Sequence, residues 1–190
     1  MQVTPSQTIG PFYWGTIVKS YRAELAPPGV AGERIELALT LHDGNDAIVP
    51  DGLFEIWQAN SRGRYNHPDD RRNLPLDAGF EGYGRASTFT DGTATFGTVK
   101  PGRVPWPHGG AQGGGMQAPH INVSIFARGL LNRVATRLYF DGDPANAEDP
   151  VLKSIDAARR ATLIAKRDGQ GVWRLPIHLG GAKETVFFEV

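Results

Sequence analysis

A mainly β fold, an antiparallel β-sandwich with long loops and one or two short helices, is what this sequence predicts, and three observations predict it. Short runs alternate apolar with polar residues, the period of a half-buried strand. Clusters of Gly, Pro, Asn and Asp separate those runs at the spacing of an all-β domain. The 190 residues include 24 Gly and 14 Pro, a composition that favours loops and strands over a helical bundle.

The elements follow in order. Residues 1–33 carry little periodicity and several prolines, and form an irregular arm. Residues 34–190 form a single sandwich domain, of a length that suits one well-cored unit. Ile35, Leu37, Leu39 and Leu41 alternate as a first strand, and His42-Asp43-Gly44-Asn45 is its turn. Leu53 to Gln58 is a second strand, and the polar stretch 60–83 is a long loop. Gly84 to Thr90 and Thr93 to Val99, split by Asp91-Gly92, predict a hairpin. A Pro- and Gly-rich loop spans 100–117, strands follow at 120–127 and 134–140, and 151–161 has the character of a short helix. Leu163 to Lys166, Val172 to His178 and Thr185 to Val190 are the last strands. Long loops inside a compact domain are more often functional than idle.

Charge and composition exclude several functions. Twenty basic and twenty acidic side chains cancel, which leaves no basic field for nucleic acid or an anionic membrane. Without cysteine there is no disulfide framework and no thiolate metal site. No apolar run is long enough to cross a bilayer, and the first residues lack the features of a leader, so a soluble cytoplasmic protein is expected.

His120 lies in Ala118-Pro119-His120-Ile121-Asn122-Val123-Ser124-Ile125-Phe126, where Ile121, Val123 and Ile125 form the buried face. His120 and Asn122 therefore share the other face, roughly 7 Å apart along the strand. Two histidines so placed could share a metal ion. Asn122 offers a neutral carboxamide, a poor transition-metal ligand. The frame is that of a metal site short of donors.

Four segments together resemble the intradiol ring-cleaving dioxygenases: Trp57-Gln58-Ala59-Asn60 leading to Gly63-Arg64-Tyr65, Thr98-Val99-Lys100-Pro101-Gly102, Ala118-Pro119-His120-Ile121-Asn122, and Arg137-Leu138-Tyr139-Phe140 with Asp141-Gly142-Asp143-Pro144. The resemblance spans about residues 4 to 190. It implies a ferric site of two tyrosines and two histidines, whose positions here are Tyr65, Val104, His120 and Asn122. A family arginine that activates the bound catecholate corresponds to Gln117. Two ligands and that arginine are thus replaced, and the implied chain is non-catalytic, with no metal of its own.

The family includes enzymes assembled from an iron-carrying β chain and a homologous α chain that keeps the fold without the ligands. This sequence resembles the α type, through Thr4-Pro5-Ser6-Gln7-Thr8-Ile9-Gly10-Pro11-Phe12 and Phe126-Ala127-Arg128-Gly129. The implied assembly is a hetero-oligomer with Fe(III) in the partner, converting protocatechuate and O₂ to 3-carboxy-cis,cis-muconate. The implied substrate-binding residues are Thr8, Gly10, Pro11 and Phe12, as one wall of the interface cavity, and Arg128, near the aromatic carboxylate. The arm at 1–33 would then pack on the partner chain.

Plainer readings stand beside these. Tyr65 and His120 also suit structural roles in a small polar cluster, and Arg159-Arg160 a solvated helix face. A zinc site of His67, His108 and His120 has no support from spacing. Gly109 to Gly115 has a phosphate loop's composition without its Lys-Ser/Thr. Two further functional readings remain: a stand-alone dioxygenase with substituted ligands, and a sandwich that binds a ligand without chemistry.

Overall fold

Alternation in the sequence becomes burial in the fold. The computed structural model describes residues 20–89, 91–106 and 115–189. In β1 (Arg34–His42), Ile35, Leu37, Leu39 and Leu41 are buried. Leu53, Phe54 and Ile56 do the same in β2 (Leu53–Trp57), and Gly84 and Ala86 in β3 (Tyr83–Ser87). β4 (Thr93–Val99) follows, then the short pair β5 (Val104–Pro105) and β6 (Met116–Gln117). β7 (His120–Phe126), β8 (Val134–Phe140), β9 (Ile164–Arg167) and β10 (Trp173–His178) complete the set. Between β8 and β9 lie a 3₁₀ turn at Pro144–Ala147, the helix α1 (Pro150–Ser154) and a second 3₁₀ turn at Arg160–Leu163.

The strands order as β3-β2-β7-β8-β9-β10-β1-β4, a sheet that wraps around one apolar core. Its pairings are antiparallel except β8 with β9 and β10 with β1, which run parallel. Phe54, Ile121, Ile125, Leu138 and Phe140 from one half meet Leu37, Leu39, Phe96, Leu175 and Ile177 from the other. A smaller cluster of Ala118, Tyr139, Ala145, Leu152 and Leu163 lies under α1.

The expected hairpin does not form. β3 pairs with β2 and β4 pairs with β1, so the two strands are the opposite edges of the sheet. The Thr88 hydroxyl donates to the Val49 carbonyl and accepts from the Gly52 amide, tying the end of β3 toward the start of β2. Thr93 opens β4 against Thr40 of β1. Arg22 to Leu25 fill the gap between the edges: Arg22 exchanges both backbone bonds with Arg85, and Leu25 N–H donates to Gly97 O at 2.9 Å. Of the arm at 1–33, residues 1–19 lie outside the described residues, while Leu25 and Ala26 are buried in this chain's own interior.

Two other expectations change. The helix expected at 151–161 stops at Ser154, because Ile155 turns to an extended conformation. Arg159 and Arg160 therefore lie beyond the helix, exposed and half-buried, where Arg159 donates to Glu184 O and Arg160 to Ile155 O, each at 2.9 Å. Thr185 to Val190 is not a strand among the described residues but a single bridge, Phe188 to Ala135. Its backbone bonds go to His178, Thr162 and Ala135 in turn, so no ladder builds up.

Candidate functional site

The four resemblance segments meet because buried amides hold them together. Gln58 donates to Val99 O at 2.9 Å and accepts from the Thr98 hydroxyl at 2.9 Å, joining β2 to the end of β4. Asn60 is fully buried. Its side-chain oxygen accepts from the amides of Arg62 and Arg64, and its carbonyl accepts from Gly63 and Gly102 at 2.9 and 2.8 Å. Gly63 has φ of +79°, and a Cβ there would lie 2.0 Å from Arg103 O. A Cβ on Gly102 would lie 2.5 Å from Gly63 N, so the loop bearing Tyr65 and the loop entering β5 touch backbone to backbone. Lys100 then pairs with Asp143 at 2.9 Å and sits over the Phe140 ring, bringing in the end of β8.

These contacts gather Tyr65, Val104, His120 and Asn122 around one cleft of about 1590 Å³, with Gln117, Trp57, Arg133 and Arg137 also on its walls. Val104 reaches it from β5, where it pairs with Gln117 of β6. His120 and Asn122 come from the outward face of β7, as the alternation predicts. Tyr65 stacks on Trp57 with ring centroids 5.7 Å apart and 14° between planes. Its backbone N–H donates to Asp70 at 2.8 Å, and the Arg72 guanidinium bonded to Asp70 holds that carboxyl well below the usual range.

Several polar groups in the cleft are held by protein partners. The Asn122 carboxamide donates to Trp57 O at 3.5 Å, and burial raises the Tyr65 pKa, so the phenol stays protonated. His120 is 3% exposed, and its Nδ1 lies 2.8 Å from Ala118 O, which can only accept; Nδ1 therefore carries the proton. Burial first, and the Arg137 charge second, lower the His120 pKa to about 4, so the ring is neutral. Arg137 donates to Gln117 Oε1 at 2.7 Å, and Gln117 donates to Pro105 O at 2.9 Å, closing β5 over the cleft. Ala118 N–H donates to Asp149 Oδ2 at 2.7 Å. Asp149 Oδ1 caps α1 through the amides of Val151 and Leu152, both at 2.9 Å, and lies 3.3 Å from the Tyr139 hydroxyl, whose pKa is raised mainly by burial.

The donor set does not fit ferric iron. Val104 has no donor atom, Asn122 is a neutral carboxamide, and the Tyr65 phenol is neutral. A hard trivalent ion needs anionic oxygens and a fuller ligand shell than one imidazole and one phenol provide. His67 is exposed on the cleft rim, edge-on to Trp57, and His108 lies outside the described residues. Thr8, Gly10, Pro11 and Phe12 likewise lie outside the described residues. Arg128 is not in the cleft. It sits just beyond β7 with its side chain 83% exposed, paired to Asp51 at 2.9 Å. Arg137, Asp149 and Trp57 were not singled out from sequence as site residues. Asp149-Pro150 carried a legible cue, a capping carboxylate before a helix-starting proline.

His120 gives the cleft a pH signature. Its pKa falls from 6.5 to about 4 on folding, so below pH 6.5 the unfolded chain takes up a proton that the folded chain refuses. Stability present above that pH is lost as pH falls through the folded value, by roughly 3 kcal/mol in all. Denaturant unfolding between pH 7 and 4 should show this loss, and His120→Gln should flatten it; equal slopes in both proteins would contradict the assignment.

The profile of the family described as Dioxygenase matches residues 15–172. The protocatechuate 3,4-dioxygenase alpha chain of Burkholderia cepacia is 39% identical over 206 residues, covering 100% of this chain and 98% of that one. The beta chain of the same name and organism is 38% identical over 135 residues, covering 71% of this chain and 56% of that one. Among solved structures, an intradiol ring-cleavage dioxygenase from Tetranychus urticae superposes with a TM-score of 0.62 at 21% identity, covering 95% of this chain and 94% of that chain. That likeness concerns the fold. No described helix is long and apolar enough to cross a membrane.

Proposed function

Because the chain belongs to the intradiol ring-cleavage dioxygenase family, we propose that it is the non-catalytic α subunit of a protocatechuate 3,4-dioxygenase. One observation carries this reading: the cleft that gathers Tyr65, Val104, His120 and Asn122 offers one neutral imidazole and one neutral phenol and lacks the donors iron requires. A chain so built assembles and recognises, and leaves redox chemistry to a partner. The partner is a homologous β-type chain holding Fe(III), and the assembly opens protocatechuate with O₂ to 3-carboxy-cis,cis-muconate in the cytoplasm. The 38% identity to a beta chain supports the pairing, since homologous chains can bury matching faces in a pseudo-symmetric interface.

In this reading Thr8, Gly10, Pro11 and Phe12 form a wall of the partner's substrate pocket, and Arg128 supplies positive charge to the substrate carboxylate. The exposure of Arg128 and its single acidic partner, Asp51, support a role outside its own chain. An exposed ion pair is worth at most about 1 kcal/mol, so the guanidinium is readily redirected.

Purification alone and with a β-type chain tests the proposal. The single chain should be colourless, iron-poor and inactive, and the co-purified pair should cleave protocatechuate. A single chain that holds stoichiometric iron and cleaves the ring would overturn it. In the pair, Arg128→Ala should raise KM about tenfold with iron content unchanged; unaltered KM and kcat would remove Arg128 from the pocket.

A further inference from the structure

We propose that His42, Asp46 and His178 form a binding site for a divalent transition ion of the zinc class, separate from the cleft. None of the three lines that cleft. β1 and β10 run parallel with His42 in register with His178, so the two imidazoles leave neighbouring strands on one face. Their rings stack with centroids 4.6 Å apart and 17° between planes. Asp46 comes from the turn after β1 and places Oδ1 2.8 Å from His178 Nε2 and 3.6 Å from His42 Nδ1. The ligand atoms of the three residues all lie within 4.8 Å of one another.

The cluster is built on rigid elements. His42 and His178 end paired strands, and His178 is buried, its backbone N–H donating to the Thr185 hydroxyl at 3.0 Å. Asp43 Oδ1 accepts from the amides of Asn45 and Ala47 at 2.8 and 2.9 Å, which shapes the turn independently of the histidines. Asp46 has φ of 68°, the sole positive φ at a described residue other than glycine. That conformation is unfavourable for a side-chain-bearing residue, and here it aims the carboxylate at the ring pair.

The chemistry selects the ion. Two imidazoles and one carboxylate suit zinc and its neighbours, whereas calcium and magnesium require oxygen ligands. Bonds of about 2.0–2.2 Å place tetrahedral ligands roughly 3.3 Å apart, so the rings need to tilt together by about 1 Å. Three protein ligands leave one position for water. Lys183 competes: its Nζ lies 2.6 Å from Asp46 Oδ2, and its side chain is 65% exposed and free to swing away. The ion would replace that ammonium as the carboxylate's counter-charge.

Calorimetric titration of the untagged full chain with ZnCl₂, with Co²⁺ absorption as a second readout, tests the site. The expected result is about one ion per chain, weakened about tenfold or more by His178→Gln and by Asp46→Asn, and unchanged by His120→Gln. Lys183→Met removes the competitor and should tighten binding; being an exposed substitution, it keeps the test decisive even where a histidine variant fails to fold. Absence of binding, indifference to Asp46→Asn, loss on His120→Gln, or no gain in Lys183→Met would each overturn the proposal.

Discussion

Asp149→Ala should cost roughly 3–4 kcal/mol of folding stability. Asp149 is fully buried and accepts from the amides of Ala118, Val151 and Leu152. Truncation leaves those three donors without their acceptor, where even one unsatisfied buried group costs about 1–3 kcal/mol. Partial relaxation keeps the total below a simple sum. The loss corresponds to a Tm lowered by about 10 °C for a domain of this size. Asp149→Asn retains one acceptor oxygen and should lose distinctly less. The effect also reaches the cleft, because Ala118 is held by Asp149 on one side and holds His120 Nδ1 on the other. Denaturant unfolding measures the first effect, and the His120 pH signature measures the second: the Asp149 charge holds the His120 pKa up, so the variant should show a deeper loss of stability toward acid. A loss under about 1 kcal/mol would mean that water reaches the freed amides.

Where a sequence signal was local, it read through to structure. The alternation in β1 and β7 predicted which side chains are buried, because a strand between two neighbours has one face on the core wherever it pairs. Pairing itself was not legible. Asp91-Gly92 marks a turn, yet the strands beside it separate, since Thr88 and Thr93 are bound to different neighbours. Thr185 to Val190 has strand-like residues, but Thr185 and Val186 give their amides to His178 O and the Thr162 hydroxyl, so only Phe188 bridges to β8, at Ala135.

The site divides in the same way. That His120 and Asn122 share a face follows from strand period. That Tyr65 and Val104 join them depends on Asn60, Gly63 and Gly102 bringing two loops into contact, and spacing alone does not encode this. The His42–Asp46–His178 cluster was not legible because His178 lies far in sequence from His42 and Asp46 and meets them only through the parallel β1–β10 pairing.

Restoring the missing donors should restore a metal. The double variant Val104→Tyr with Asn122→His is expected to take up about one ferric ion per chain and to show a visible tyrosinate-to-iron absorption, which the parent and each single variant lack. His120 is already prepared: with Nδ1 donating to Ala118 O, Nε2 keeps its lone pair, and the carbonyl fixes the ring. Asn122→His replaces a neutral carboxamide on the cleft wall with a second imidazole on the same strand face. Val104→Tyr adds an oxygen from β5 at a position bordering a cleft with room for a ring. Burial opposes ionisation of Tyr65, but a trivalent cation reverses that balance by favouring the phenolate. Arg137 works against the ion, and its 2.7 Å bond to Gln117 keeps it near, so affinity should rise further in Arg137→Gln added to the double variant. Iron analysis after reconstitution, read beside circular dichroism, decides the matter. A folded double variant that stays colourless and iron-free would mean that the two loops no longer bring phenol oxygens within coordination distance of His120.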